Sequence, residues 1–358
     1  MTEVLQATKS ALLRLSPVGA TLWIIRIGII ALLLWGVVGS IIANRYSAAQ
    51  WGDFVVFGLA IGSIYALVAL GYTMVYGVLR LINFCHGDIF MFGAFSAYFA
   101  AAPLARAGTL EEDPVLGLAA IFAVAMGISA GLALLVERVA YRPFRHVQSL
   151  APLICAIGAS FVIQQSARGL FGSTVKAYPE ISWLQGDFSV LSWAVPKLQA
   201  IVFLAAVTVM LLLYLVVMRS KLGRAMRALA EDRDAAALMG IDIDRVIVFT
   251  FLLGGLTAGV AGVLYALIFT QVHFFMGFVP GIKAFCAAVL GGIGNIPGAM
   301  LGGLFLGTVE SLGPALVLEG LNIPAPYQLR DAIAFVLLVL VLIFRPSGFL
   351  GERIQRRA

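Results

Sequence analysis

The side chains best suited to do chemistry lie together in Asn83-Phe84-Cys85-His86-Gly87-Asp88. Asn83, His86 and Asp88 could hydrogen-bond one another or line a polar cavity, with Gly87 permitting a close local approach. They could equally cap a helix at an interface, since a carboxylate near a helix start suits the macrodipole. The chain has 3 histidines, His86, His146 and His273, in separate regions, and His86 has no second histidine or cysteine at zinc-ligand spacing. Asp88, Glu137 and Glu310 are carboxylates in or beside apolar runs, but they form no spaced proton relay. Cys85, Cys155 and Cys286 each sit in an apolar stretch and read as reduced packing residues. Nothing in this set amounts to a membrane-embedded catalytic centre, and no GxxxxGK[ST] loop is present to cradle a nucleotide.

The elements that hold these residues are set by an unusual composition. Of 358 residues, 61% are apolar and 12% charged, with a mean hydropathy of +1.01. A soluble domain carries about twice that charged fraction, so lipid must solvate much of the surface. Apolar runs of the roughly 20 residues needed to cross a bilayer occur near 22–42, 54–77, 84–104, 114–136, 150–171, 198–218, 246–269 and 331–345. The expected fold is therefore an all-α polytopic membrane protein of about nine to ten transmembrane segments. The net charge of +6 does not indicate nucleic acid, because the basic residues cluster at span ends. With both termini in the cytoplasm, 16 Lys and Arg fall on cytoplasmic segments and 5 on outer ones, the asymmetry of a positive-inside membrane protein.

Two stretches depart from the simple span. The segment 281–312 is broken by Gly291-Gly292-Ile293-Gly294-Asn295-Ile296-Pro297, a glycine and proline density that interrupts a helix. The charge topology makes it a pair of short limbs entering and returning on the outer side; a single kinked helix is the other reading. Broken backbone at membrane depth is tolerated only where protein or a water-filled cavity covers it, and interrupted helices of this kind often mark a transport path. The second stretch, Ser220 to Ile241, is the longest polar run on the cytoplasmic side. It predicts an amphipathic helix stopped at Gly240, with Met226, Leu229 and Leu238 offered to a partner or laid on lipid headgroups.

Several motifs in order resemble the H-type membrane subunit of the branched-chain amino-acid ABC importers, the Liv family. They are Ala69-Leu70-Gly71-Tyr72-Thr73-Met74-Val75-Tyr76-Gly77, Ile82-Asn83-Phe84 with His86-Gly87-Asp88, Gly223-Arg224-Ala225-Met226-Arg227-Ala228, Ala230-Glu231-Asp232 and Gly240-Ile241. The longest is Lys283-Ala284-Phe285 with Ala287 through Ala299. The resemblance runs from about Phe54 to Gly351 and implies a permease domain over 51–351 with a coupling segment at 219–245. It implies ATPase coupling through Gly223, Arg224, Arg227, Glu231, Asp232 and Gly240. It implies a translocation path past Tyr76, Asn83, His86, Asp88, Gly291, Gly292, Asn295 and Pro297. The partners would be a second permease subunit of the M type, two ATP-binding subunits that use ATP and Mg, and a periplasmic solute-binding protein. This chain would bind no cofactor itself and would sit in the bacterial inner membrane.

The ends fall outside the resemblance. Residues 1–50 add an extra transmembrane helix, and 352–358 form a cytoplasmic tail. The stretch Gly172 to Lys197, with Trp183 and Trp193, is long for a connection and predicts a structured outer cap where a binding protein could dock. The resemblance implies that the solute would be a branched-chain or other neutral amino acid, with urea or a short amide as the alternative. A self-contained channel or ion-coupled carrier is the reading from a different class.

Overall fold

A computed structural model describes residues 17–144, 151–190, 193–345 and 347–351. Among them the helices are α1 (Pro17–Ala43), α2 (Ala48–Leu79), α3 (His86–Arg106), α4 (Thr109–Glu112), α5 (Pro114–Val136), α6 (Ala151–Phe171), α7 (Lys197–Arg219), α8 (Lys221–Glu231), α9 (Arg233–Leu238), α10 (Ile243–Phe269), α11 (Phe278–Gly291), α12 (Ile296–Gly313) and α13 (Arg330–Phe344). Nine helical segments of the described residues are long and apolar enough to cross a membrane, and α11 is a shorter apolar helix. The expected all-α polytopic architecture is thus what the chain adopts.

The centre of the fold is α2. A capping box starts it: Ser47 Oγ accepts from the Gln50 backbone N–H and the Gln50 side chain accepts from Ser47 N–H. This carries the helix well upstream of the apolar run that begins at Phe54. It stops at Arg80, whose φ of +57° cannot continue a right-handed helix. Gly58 and Gly62 of α2 face Gly303 and Gly307 of α12 in antiparallel order. A Cβ on Gly303 would lie 2.4 Å from Ala66 Cα, and one on Gly307 would lie 2.2 Å from Gly62 Cα. Two backbones this close need glycine, the membrane route to tight helix packing where no hydrophobic effect draws helices together. On the other side, α10 packs against α2, α3 and α5. In the most apolar stretch of both α2 and α10, 72% of residues are buried, against 6% for the segment containing α13. The core is therefore built on α2 and α10 with α3 and α12 packed against them, and α1, α6, α7 and α13 lie around it. The extra helix α1 touches this core at 314–320, where Ser40 Oγ donates to Ala315 O at 2.7 Å.

The broken region differs from expectation in one respect. The Gly/Pro turn is present, with φ of +103° at Gly292 and +93° at Gly294, so a single kinked helix is excluded. Asn295 caps α12 by accepting from Gly298 N–H. The limbs, however, are unequal. The 14-residue α11 is too short to cross, whereas α12 continues through a π-helical turn at Pro314–Leu318 to make a segment of 23 residues. The turn lies toward the Arg80 end of α2, because α12 runs antiparallel to it. A second interruption precedes α11: residues 270–277 are not helical apart from turns, and Gln271–Val272 forms a strand.

The described residues of the stretch 172–197 are structured, as expected. Lys176–Ala177 (β1) pairs antiparallel with Gln271–Val272 (β4), and Asp187–Val190 (β2) with Trp193–Pro196 (β3). The β1–β4 pair ties this cap to the chain entering α11.

Candidate functional site

The segment after Arg80 folds back so that His86 lies beside Gly71, roughly 13 Å along α2 from its end at 1.5 Å per residue. Asn83, His86 and Asp88 are 1%, 1% and 2% exposed. His86 N–H donates to Asn83 O at 3.1 Å, but their side chains do not bond one another; each engages a different neighbour. Tyr141 OH donates to Asn83 Oδ1 at 3.2 Å and to Ile82 O at 3.1 Å. The His86 ring stands edge-on to Tyr72, with centroids 5.0 Å apart. Asp88 accepts from Ser160 Oγ and, at 2.9 Å, from Gln164 Nε2, and so joins α3 to α6. Cys85 Sγ reinforces that seam by donating to Ala156 O. None of these side chains caps α3, whose N-cap Cys85 makes no side-chain cap bond. Gly87 makes the close approach its type suggested, since a Cβ there would sit 2.6 Å from Gly277 O. His86 Nε2, Asn83 Nδ2 and Thr73 Oγ1 are buried without a protein partner, leaving the seam with spare hydrogen-bonding capacity. Tyr76, half-buried, lies one turn before Arg80 and accepts from its N–H.

The Gly291–Pro297 turn is occupied by the chain beyond α13. Phe349 N–H donates to Leu290 O at 2.8 Å, Leu350 N–H to Gly291 O at 3.0 Å, and Asn295 Nδ2 to Leu350 O at 2.8 Å. Gly292 has positive φ and a Cβ there would be 2.5 Å from Gly351 N, so glycine is required twice over. Pro297 stands in the first turn of α12, where its missing N–H is not needed.

The polar stretch 220–241 forms two helices instead of one. Asp232 adopts extended backbone and its carboxylate accepts from Asp234 and Ala235 N–H; a good N-cap residue here outcompetes helix continuation. Gly240 ends α9 with φ of +79°, Ile241 N–H reaching back to Ala236 O and Gly240 N–H to Ala237 O. The start of α8 is equally specified. Ser220 caps Gly223 N–H at 2.8 Å, and a Cβ on Gly223 would lie 2.2 Å from Val217 O. Arg227 Nη1 donates to Val217 O at 2.6 Å and Arg224 Nη1 to Arg219 O at 3.3 Å, satisfying the last carbonyls of α7. Arg80 Nη2 donates to Ala230 O at 2.6 Å. Met226 and Leu229 were expected to be free for a partner but are each 4% exposed, packed into their own chain. Leu238 and the adjacent Met239 are the exposed apolar pair, at 89% and 82%. Glu231, the last residue of α8, is also exposed.

Sequence reasoning missed one charged cluster. Lys283 Nζ lies 2.7 Å from Glu310 Oε1 and 2.6 Å from Asp331 Oδ1. Tyr65 OH is 3.4 Å from both Lys283 Nζ and Glu310 Oε1, and Arg330 Nε is 3.9 Å from Glu310. The cluster joins α2, α11, α12 and α13. Its signal was a lysine and a glutamate in the two limbs of one broken hairpin. Among the described residues no group of His, Cys, Asp and Glu is arranged to hold a metal ion.

The profile of the family described as "Branched-chain amino acid transport system / permease component" matches residues 54–342. The chain is 43% identical over 298 residues to the high-affinity branched-chain amino acid transport system permease protein BraD of Pseudomonas aeruginosa, covering 82% of this chain and 94% of that protein. It is 41% identical to LivH of Escherichia coli K12 over the same coverage. A solved structure described as "An inward-facing conformation of a putative metal-chelate type ABC transporter" aligns at 15% identity with a TM-score of 0.42, over 88% of this chain and 98% of that one. The match takes in the Asp88 seam, the broken hairpin, the Lys283 cluster and the polar double helix, and leaves out α1. The chain belongs to the branched-chain amino acid transport permease family.

Proposed function

We propose that this chain is the transmembrane permease subunit of an ABC importer for branched-chain or other neutral amino acids, and that it performs no catalysis itself. The observation that carries the reading is the identity above 40% to BraD and LivH over most of their lengths. The solute arrives on a periplasmic binding protein, a second permease of the M type completes the path, and two partner subunits hydrolyse ATP with Mg. The chain sits in the bacterial inner membrane with both termini cytoplasmic, the orientation that puts most Lys and Arg inside. The α8–α9 pair is the ATPase coupling element. An exposed Leu238–Met239 knob at the end of α9, joined through Asp232 to an α8 that is pinned to the end of α2 and to α7, suits a lever that passes motion into the spans. The cap around 172–197 suits the docking of the binding protein.

The test is ATP-driven uptake in proteoliposomes holding the purified complex with its binding protein. Leucine accumulation that needs both ATP and this chain supports the reading. Accumulation of urea or acetamide but not leucine would move the assignment to the amide importers. Solute flux through this chain alone, without ATPase subunits, would replace it with a self-contained channel or carrier.

A further inference from the structure

The buried Asn83, His86 and Asp88 leave open which surface of this subunit meets the solute. Helix α6 is attached to the fold by one side. Pro152, Ala156, Ile163, Gln164 and Ala167 are buried there, Asp88 is bonded to Ser160 and Gln164, and the Phe171 ring stacks on Phe95 at 5.0 Å. At 100° per residue, Gly158, Phe161 and Gln165 point the opposite way, into the open, and all three are exposed. Of the nine long apolar segments of the described residues, the one formed by α6 is the least hydrophobic.

The exposed side chains of the other peripheral spans are mainly aliphatic, as with Leu204, Leu211 and Leu215 on α7 or Val336, Val339 and Leu342 on α13; α6 also exposes Ile154, Ile157, Phe161, Val162 and Leu170, but Gln165, Ser166 and Arg168 are exposed among them. Thr208 on α7 is exposed but donates to Leu204 O in its own helix at 2.7 Å. Gln165, six residues before the end of α6, has no such internal outlet, and exposed Ser166 adjoins it. An unpaired amide moved into hydrocarbon costs roughly 2–7 kcal/mol, so this face belongs against water or protein. The face also has a charged rim. Exposed Arg168 lies over the Phe274 ring at 5.6 Å, and Phe274 is part of the non-helical 270–277 stretch that enters the short helix α11.

We propose that the outward face of α6 is this subunit's wall of the solute path, and that Arg168, Gln165 and Phe161 successively meet a small zwitterion. The Arg168 guanidinium suits the carboxylate, Gln165 the polar head one turn deeper, and Phe161 with Val162 at mid-depth the branched side chain. Asp88, Ser160 and Gln164 are positioning residues that fix the rotation of α6. The proposal rests on the reading of this chain as an amino-acid permease, and its test separates the two.

Single cysteines are placed at Phe161 and Gln165, and at Leu204 and Leu211 as lipid-facing controls, with Cys85, Cys155 and Cys286 replaced by alanine, in the assembled transporter in membrane vesicles. If that background is unstable, labelling is read over the natural cysteines, of which Cys85 and Cys286 are buried. A charged methanethiosulfonate should modify F161C and Q165C at least tenfold faster than L204C and L211C, and modification at 165 should cut leucine uptake at least tenfold. Q165L should lower uptake to a similar extent while Q165N retains most of it. Reaction at 165 with a lipophilic maleimide but not with the charged reagent would place the face in lipid and overturn the proposal. Oxidative cross-linking of Q165C to the second permease, without charged-reagent access, would make it a dry interface and overturn it too. Labelling as expected in a complex that moves no amino acid would retain the path and refute only the solute.

Discussion

The Lys283 cluster allows a prediction with a definite sign and order. Lys283 and Glu310 are each 3% exposed and 2.7 Å apart, and Asp331, whose side chain is 57% exposed, is the second partner of Lys283. Lys283→Met keeps the apolar stem but leaves Glu310 buried with only Tyr65 at 3.4 Å and Arg330 at 3.9 Å. Stranding a buried charge in this way costs about 3–5 kcal/mol. Glu310→Leu is milder, because Lys283 keeps Asp331 at 2.6 Å; losing one charged hydrogen bond costs about 1.5–3 kcal/mol. The double variant K283M/E310L removes both buried charges and should lie within about 1 kcal/mol of the native protein, since an apolar pair often replaces a buried ion pair without loss. The assay is the thermal unfolding midpoint of the purified complex in one detergent, for the two singles and the double. The expected order of midpoints is Lys283→Met lowest, Glu310→Leu intermediate, and the double near native. A native-like midpoint for Lys283→Met, or a double no better than the worse single, would refute the reasoning.

Four further outcomes follow from single close contacts. Gly71→Ala puts a methyl 2.0 Å from His86 Nε2, so folded yield should fall sharply and G71A/H86A should recover it, read by size-exclusion profile. Gly307→Leu thrusts a side chain into Gly62, 2.2 Å from where its Cβ would stand, and should cost more than the ~1–3 kcal/mol of ordinary overpacking, seen as loss of the melting transition. Gly223→Ala meets Val217 O at 2.2 Å, so α8 must shift; assembly should persist while leucine no longer stimulates ATP hydrolysis. Leu238→Glu changes a side chain 89% exposed and should leave the melting point unchanged while lowering co-purification of the ATPase at least tenfold.

What could be read from the sequence was whatever depends on local composition over a turn or more. The spans were legible because about 20 apolar residues in a row have no other solvent to prefer, and the Gly291–Pro297 turn because those residues cannot sustain a helix. Ends were less legible. The apolar run of α2 begins at Phe54, yet the capping box at Ser47 and Gln50 starts the helix at Ala48, a polar signal inside a segment read for hydropathy. The break at Asp232 was hidden for the same reason: alanine and arginine on both sides favour helix, and a single capping carboxylate decided against it. Met226 and Leu229 show a second limit. An amphipathic pattern tells which face is apolar, not whose apolar surface will cover it. Contacts across long separations, Asp88 with Gln164 or Lys283 with Glu310, depend on which helices become neighbours, and no local window contains that.

The distribution of rigidity bears on how such a subunit could transmit force. Between α2 and α12 the backbones approach closely at Gly62, Gly303 and Gly307, and Tyr65–Glu310 and Ser311–Phe54 bonds tie the flanks, so there is little room for shear and the pair moves as one body. The α8 helix is fastened to that body through Arg80 to Ala230 O and to α7 through Arg227 to Val217 O. Under the proposed docking, a push at Leu238 passes from α9 through the Asp232 break into α8, and from there by one hydrogen bond each to the end of α2 and to α7. The chain that can yield lies elsewhere: α11 is bounded by the non-helical 270–277 stretch and by the glycine turn after Gly291, and α6 is held along one edge by polar contacts to Asp88. A rigid block driven at one end must be compensated where the structure is thinnest, and those two elements flank Arg168 and Phe274. Opening and closing of the path would then consist of the α2–α12 block rocking against α6. The Lys283 cluster would keep α11 registered to the block while its two ends flex, so that Lys283→Met should uncouple transport from ATP hydrolysis even in a detergent or lipid where the variant stays folded.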